Sequence, residues 1–116
     1  MQKTPILTLT SPVATAAVAQ YRFVDFDGTQ CDAAGAKPMG VSVHPAAIGE
    51  VFAVDVLGTT KVEAGAAIAL GAKGLTPVKT DANGKAIAQG GVGEIAGYAL
   101  QAAGADGAII EILLTP

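Results

Sequence analysis

Gly49-Glu50-Val51-Phe52-Ala53-Val54-Asp55-Val56-Leu57-Gly58 sets the rhythm of this chain: an apolar run with two charges, Glu50 and Asp55, and a glycine at each end. The cadence returns in Val62-Glu63-Ala64-Gly65-Ala66-Ala67-Ile68 and in Pro77-Val78-Lys79-Thr80-Asp81-Ala82-Asn83-Gly84-Lys85-Ala86. It closes with Ile95-Ala96-Gly97-Tyr98-Ala99-Leu100 and Ala108-Ile109-Ile110-Glu111-Ile112-Leu113-Leu114. Short β-branched runs bounded by glycine and Asn-Gly read as strands and turns. In the quoted stretch Phe52, Val54 and Val56 fall on one face and Asp55 on the other, the period of a strand. Ile110, Ile112 and Leu114 likewise share a face, with Glu111 opposite. No residue set between these strands is equipped for catalysis, so the module reads as one that binds or scaffolds.

Working outward, Thr76–Thr80 and Lys85–Ala88 form a hairpin around Asp81-Ala82-Asn83-Gly84. Glu94–Leu100 pairs with Ala108–Leu114 across Gly104-Ala105-Asp106-Gly107. Gly58-Thr59-Thr60 reads as a turn into a short strand, Lys61–Glu63. In Ala64–Ala72, Gly65 and Gly71 would each cost a helix about 1 kcal/mol relative to alanine, so a turn and a short strand through Ile68 are expected. Upstream, Tyr21–Phe26 reads as a strand stopped by Asp27-Gly28, a strong hairpin signal. Met39–His44 alternates Val41 and Val43 with Ser42 and His44, a half-buried strand ended by Pro45. Some eight or nine strands at regular spacing predict an all-β fold, a small β-barrel or β-sandwich of about eight short strands with an extended N-terminal arm. The expected division is an arm over residues 1–20 and a β-domain over residues 21–116.

The arm is rich in Thr, Ala, Val and Pro, and contains no glycine. Pro5 and Pro12 exclude a continuous helix or a central strand, leaving an extended segment with a short edge strand at Ile6–Thr10. Ile6, Leu7 and Leu9 on this segment admit two readings. They attach to the protein's own sheet as an edge strand, or they dock on another subunit or protein by strand addition.

A chain of 116 residues is one domain. Its hydrophobic fraction of 51% overstates the core, because 24 residues are alanine, none is tryptophan, and only three Phe and two Tyr are present. Val, Ile and Leu must supply the burial, and oligomerisation would add stability. The net charge is −3, and the seven basic residues are scattered. This lacks the basic stripe through which nucleic-acid binders neutralise phosphate, so no nucleic-acid partner is expected. No apolar run reaches the roughly 18–20 residues of a membrane helix, and no membrane partner is expected. Lys3 followed by apolar residues and Ala17-Val18-Ala19 loosely mimics a signal peptide. The prolines and threonines between Thr4 and Thr15 break its apolar region, so secretion by this route is not expected.

Constellations with chemical potential each have a plainer explanation. Asp25-Phe26-Asp27-Gly28 with Asp32 loosely matches a calcium loop, but Gly28 stands fourth rather than sixth and Ala36 occupies the twelfth position. A solvated hairpin accounts for it. Gly90-Gly91-Val92-Gly93 lacks the Lys-Ser/Thr ending and the following helix of a phosphate loop. His44 is the only histidine and Cys31 the only cysteine. An exposed strand-end histidine and a buried, idle thiol are expected, and neither a metal nor a cofactor is. The chain reads as no enzyme.

The succession of segments is more informative than any one of them. A strand ending in Asp27-Gly28 is followed by Met39-Gly40-Val41, Gly49-Glu50-Val51 and Val54-Asp55-Val56-Leu57-Gly58. Ala64-Gly65-Ala66-Ala67-Ile68, Asn83-Gly84-Lys85-Ala86, Ile95-Ala96-Gly97-Tyr98-Ala99-Leu100 and Gly104-Ala105-Asp106-Gly107 complete the order. Over about residues 20–115 this resembles the capsid cement, or head decoration, proteins of tailed bacteriophages. The resemblance implies a structural virion protein, made in the host cytoplasm, that binds the outer surface of the expanded capsid and stabilises it. It implies the major capsid protein as partner and a homo-oligomer, with a trimer favoured and a dimer as the other form. It also implies an arm that orders on the capsid, with Thr4, Pro5, Ile6, Leu7, Thr8 and Leu9 as contact residues. A carbohydrate- or host-surface-binding β-module is the alternative, although such sites usually expose more aromatics than this chain has.

Overall fold

A computed structural model describes residues 3–115. Its spine is Val54–Glu63, a single strand of ten residues. In chain order the strands are β1 (Pro5–Leu9), β2 (Phe23–Val24), β3 (Gly40–Ser42), β4 (Val54–Glu63), β5 (Pro77–Thr80), β6 (Ala86–Ala88), β7 (Gly97–Ala99) and β8 (Ile109–Leu114). One short 3-10 turn, Ala72–Gly74, interrupts them. All strand pairs are antiparallel, in the order β2-β3-β4-β8-β7-β5-β6, with β1 added to β4. Just past the end of β4, Ala64 bridges Ala86 of β6, and Gly65 N donates to Ala86 O at 2.8 Å. That contact brings the last strand of the order back to β4 and nearly closes a barrel, sparing most strand edges from solvent.

The two halves of β4 serve two cores. Its C-terminal half pairs with β8 from Thr59↔Leu113 to Glu63↔Ile109, and the barrel interior gathers Phe23, Cys31, Val41, Val62, Ile68, Val78, Ile110 and Ile112. The face shared by Ile110, Ile112 and Leu114 is buried, as their spacing predicts. The N-terminal half lies between β1 and β3. There a smaller core gathers Ala14, Val18, Val24, Ala46, Phe52 and Val54.

Several local expectations change. Gly58-Thr59-Thr60 is not a turn, and Lys61–Glu63 is the end of β4. Gly58 takes φ +95° inside the strand, and a Cβ there would lie 2.5 Å from Thr4 O and 2.7 Å from Ile6 N. The glycine therefore admits the backbone of β1 rather than reversing β4. Ala64–Ile68 contributes only isolated bridges, at Ala64 and Ile68. The strand expected over Tyr21–Phe26 shortens to β2, with Tyr21 at φ +60° and Phe26 exposed. The Asp27-Gly28 turn does form: Gly28 N donates to Asp25 O and Asp25 N to Thr29 O. Ser42 is buried rather than solvated, because its hydroxyl donates to Ala19 O at 2.6 Å beneath the N-terminal segment.

Candidate functional site

The strand β1 lies along β4 of its own chain, and no strand of the described residues pairs with its outer edge. Its register carries two irregularities. Pro5 faces Gly58 and Leu7 faces Leu57, so Ile6 is extra on β1; Thr8 then faces Asp55, so Val56 is extra on β4. Such bulges re-aim side chains. Here Val56 and Leu57, adjacent in sequence, both line one surface groove.

That groove has a volume of about 520 Å³ and is lined by Leu7, Leu9, Phe26, Lys37, Pro38, Met39, Val56 and Leu57. Lys37 contributes its stem; its ammonium is held by Ile95 O at 3.2 Å and Thr115 O at 2.8 Å. At the rim Phe26 is 72% exposed, and on the arm Ile6 is 74% and Leu7 48% exposed. These large apolar side chains lie in or beside a strand whose outer edge is unpaired among the described residues, an arrangement suited to receiving a protein surface.

Beneath β1 sits a fully buried carboxylate, Asp55. Thr8 Oγ1 donates to its Oδ1 at 2.6 Å, while Lys3 Nζ at 3.0 Å and Thr60 Oγ1 at 2.7 Å donate to its Oδ2. Burial pushes the Asp55 pKa up, but the hydrogen bonds from Thr8, Thr60 and Lys3, with the Lys3 charge, outweigh it and leave the carboxyl below its ordinary value. Outside this cluster, Thr4 N donates to Thr59 Oγ1 at 2.6 Å and Thr59 N to Thr4 O at 3.1 Å.

The six arm residues singled out from sequence thus divide. Thr4 and Thr8 fasten the strand, Leu7 and Leu9 line the groove, and Pro5 and Ile6 face solvent. Sequence reasoning missed Asp55, Lys3 and Phe26. The one available signal was a lone carboxylate between Val54 and Val56, which reads equally well as a solvent-facing strand position.

Cys31 and His44 bond to different partners. Cys31 is buried, with Sγ 3.1 Å from Asp25 Oδ1; burial first and the Asp25 carboxylate second push its pKa far up. Iodoacetamide at pH 8 is therefore expected to leave the native thiol unlabelled over an hour and to label it fully in 6 M guanidinium, read by mass spectrometry. His44 is exposed, with Nδ1 3.0 Å from Pro45 O and Nε2 accepting from Ala53 N at 3.3 Å. Among the described residues, neither has a hydrogen-bond partner that would activate it.

The family described as phage cement protein matches residues 1–114. No curated protein sequence matches the chain. Among solved structures, the N base of the head fiber gp8.5 of bacteriophage phi29 superposes with a TM-score of 0.72 at 22% identity, covering 94% of this chain and 93% of that one. At that identity the likeness is one of fold.

Proposed function

The chain belongs to the phage cement protein family, a capsid-associated structural protein of the phage head, and on that premise we propose that it binds the outer surface of the expanded capsid and stabilises it. The observation that carries this reading is β1: an edge strand with an unpaired outer side, exposed Ile6 and Leu7, and an apolar groove alongside. Main-chain hydrogen bonds from an added strand would supply affinity, and the groove would select side chains. The partner is the major capsid protein, met by Thr4, Pro5, Ile6, Leu7, Thr8 and Leu9. A protein that binds only the expanded lattice stabilises that lattice by mass action, without chemistry. A homo-oligomer, with a trimer favoured, would raise avidity by about 10²–10⁴ over a single contact. The net charge of −3 disfavours adhesion to packaged DNA.

Co-sedimentation with expanded and unexpanded capsids of the same phage tests this directly. Saturable pelleting with expanded capsids alone is expected, together with a higher temperature for release of the packaged DNA. Equal pelleting with both forms, or with neither, would remove the proposal, and binding to glycans instead would favour the carbohydrate-binding alternative.

A further inference from the structure

We infer that residues 3–11 form a strap latched by Asp55, able to lift from β4 while Pro12 onward stays in place. The boundary follows from what holds each part. From Pro12 the N-terminal segment is built into the body: Phe52 N donates to Pro12 O at 3.0 Å, Ala14 N to Glu50 O at 2.8 Å, and Val18 and Ala46 exchange both backbone bonds at 2.9 Å. Ala14 and Val18 are buried in the smaller core. A Cβ on Gly28 would lie 2.2 Å from Val13 O, so the Asp27-Gly28 turn closes tightly over this stretch. Thr10 and Ser11, between the two parts, are exposed and outside any strand.

Residues 3–9 are held differently. Pro5, Ile6 and Leu7 are exposed, and Thr8 and Leu9 only partly buried, so apolar burial contributes little to their attachment. The deep contact is polar, at Asp55. Lys3 comes from ahead of β1, Thr8 from β1 and Thr60 from β4, while Val41 of β3 stands at the paired position; of these groups only Lys3 is charged. With the strap down, the carboxylate has three donors. With the strap up, Thr60 remains and water replaces the other two. Loss of the Asp55 charge therefore removes the one deep contact of the strap and leaves the β1–β4 ladder and the Thr4–Thr59 bonds to hold it, and loss of Lys3 and Thr8 leaves a buried carboxylate that favours uncovering. Because the folded-state pKa is lowered, this contribution is complete above the ordinary carboxyl value near 4 and disappears as pH falls through the lower folded value. The latch is closed at neutral pH, so its opening on a capsid would require a surface that competes for β1 or for the β4 edge.

The inference deepens the reading of β1 as the binding element and rests on it for its purpose, but its test needs no capsid. Amide protection in the isolated full-length protein at pH 7 would be compared for the native chain, Asp55→Asn, and Lys3→Met with Thr8→Val. The reporters are the β1 amides and Thr59, whose N–H bonds to Thr4 O; the references are Val18 and Ile112. Hydrogen bonds to charged groups are strong enough that protection of the reporters should fall about tenfold or more in each variant, with the references unchanged. In the native protein the same selective loss should follow acidification below about pH 4. Undiminished reporters, or reporters and references falling by one common factor, would overturn the strap. Should Asp55→Asn fail to fold, the second variant decides, because it leaves β4 untouched.

Discussion

Phe23→Ala is expected to remove about 3–5 kcal/mol of stability, a large share of the roughly 5–15 kcal/mol that holds a domain of this size. Phe23 is fully buried in the barrel core, paired with Val41 across β2 and β3 and in the same cluster as Val62 and Ile112. The same core includes the small residues Ala64, Ala86, Ala96, Ala99 and Ala103, which have little side chain with which to fill a cavity. A core built from many alanines depends heavily on its few large members. In urea the midpoint should fall while the slope stays constant, since the folded state keeps its surface. Phe26→Ala supplies the contrast: its ring stands at the groove rim in solvent, and the change should stay within about 0.5 kcal/mol. Equal losses from the two substitutions would contradict the burial of Phe23 and the exposure of Phe26.

Ile6→Glu combined with Leu7→Glu is expected to weaken binding to expanded capsids by about 100-fold or more, because anchoring apolar residues at an interface are each worth about 2 kcal/mol or more when truncated. Introduced charge adds a desolvation cost on the docked face. In the free protein Ile6 is largely and Leu7 about half in water, so the thermal midpoint should move little. The measurement is a binding isotherm by co-sedimentation alongside a melting curve. Native-like pelleting by this variant would remove β1 from the interface. Removing residues 2–11 should give the same binding loss with the barrel still folded, because the segment that remains keeps its own backbone bonds to the body, from Phe52 N to Pro12 O onward.

Much of the fold was legible. Asp81-Ala82-Asn83-Gly84 announces its hairpin because Asp81 Oδ1 accepts from Asn83 N and Lys85 N, a local geometry that Asp and Gly specify by themselves. The Ile110, Ile112 and Leu114 face follows from the pleat alone. The edge strand on the arm was readable from its prolines and β-formers, within a residue of the observed Pro5–Leu9. The candidate site was half legible: Ile6, Leu7 and Leu9 were visible as an uncharged group, while their partners were not. Gly58 looked like a turn because a glycine that admits a neighbouring backbone carries the same letter as one that reverses the chain. The three phenylalanines look alike in sequence, yet Phe23 and Phe52 are buried and Phe26 is not.

The amino-acid order alone determined most of the strands, the turns at Asp27-Gly28 and Asp81–Gly84 and the β character of the chain, since each depends on contacts within a few residues. Only the tertiary structure decided that Asp55 is covered, that Val56 and Leu57 share a groove, and that Ala14 and Val18 of the N-terminal segment are built into the smaller core. Those outcomes depend on contacts such as Thr8 with Asp55, 47 residues apart. Alternation along a strand specifies which side a residue takes, but not which distant segment comes to lie over it.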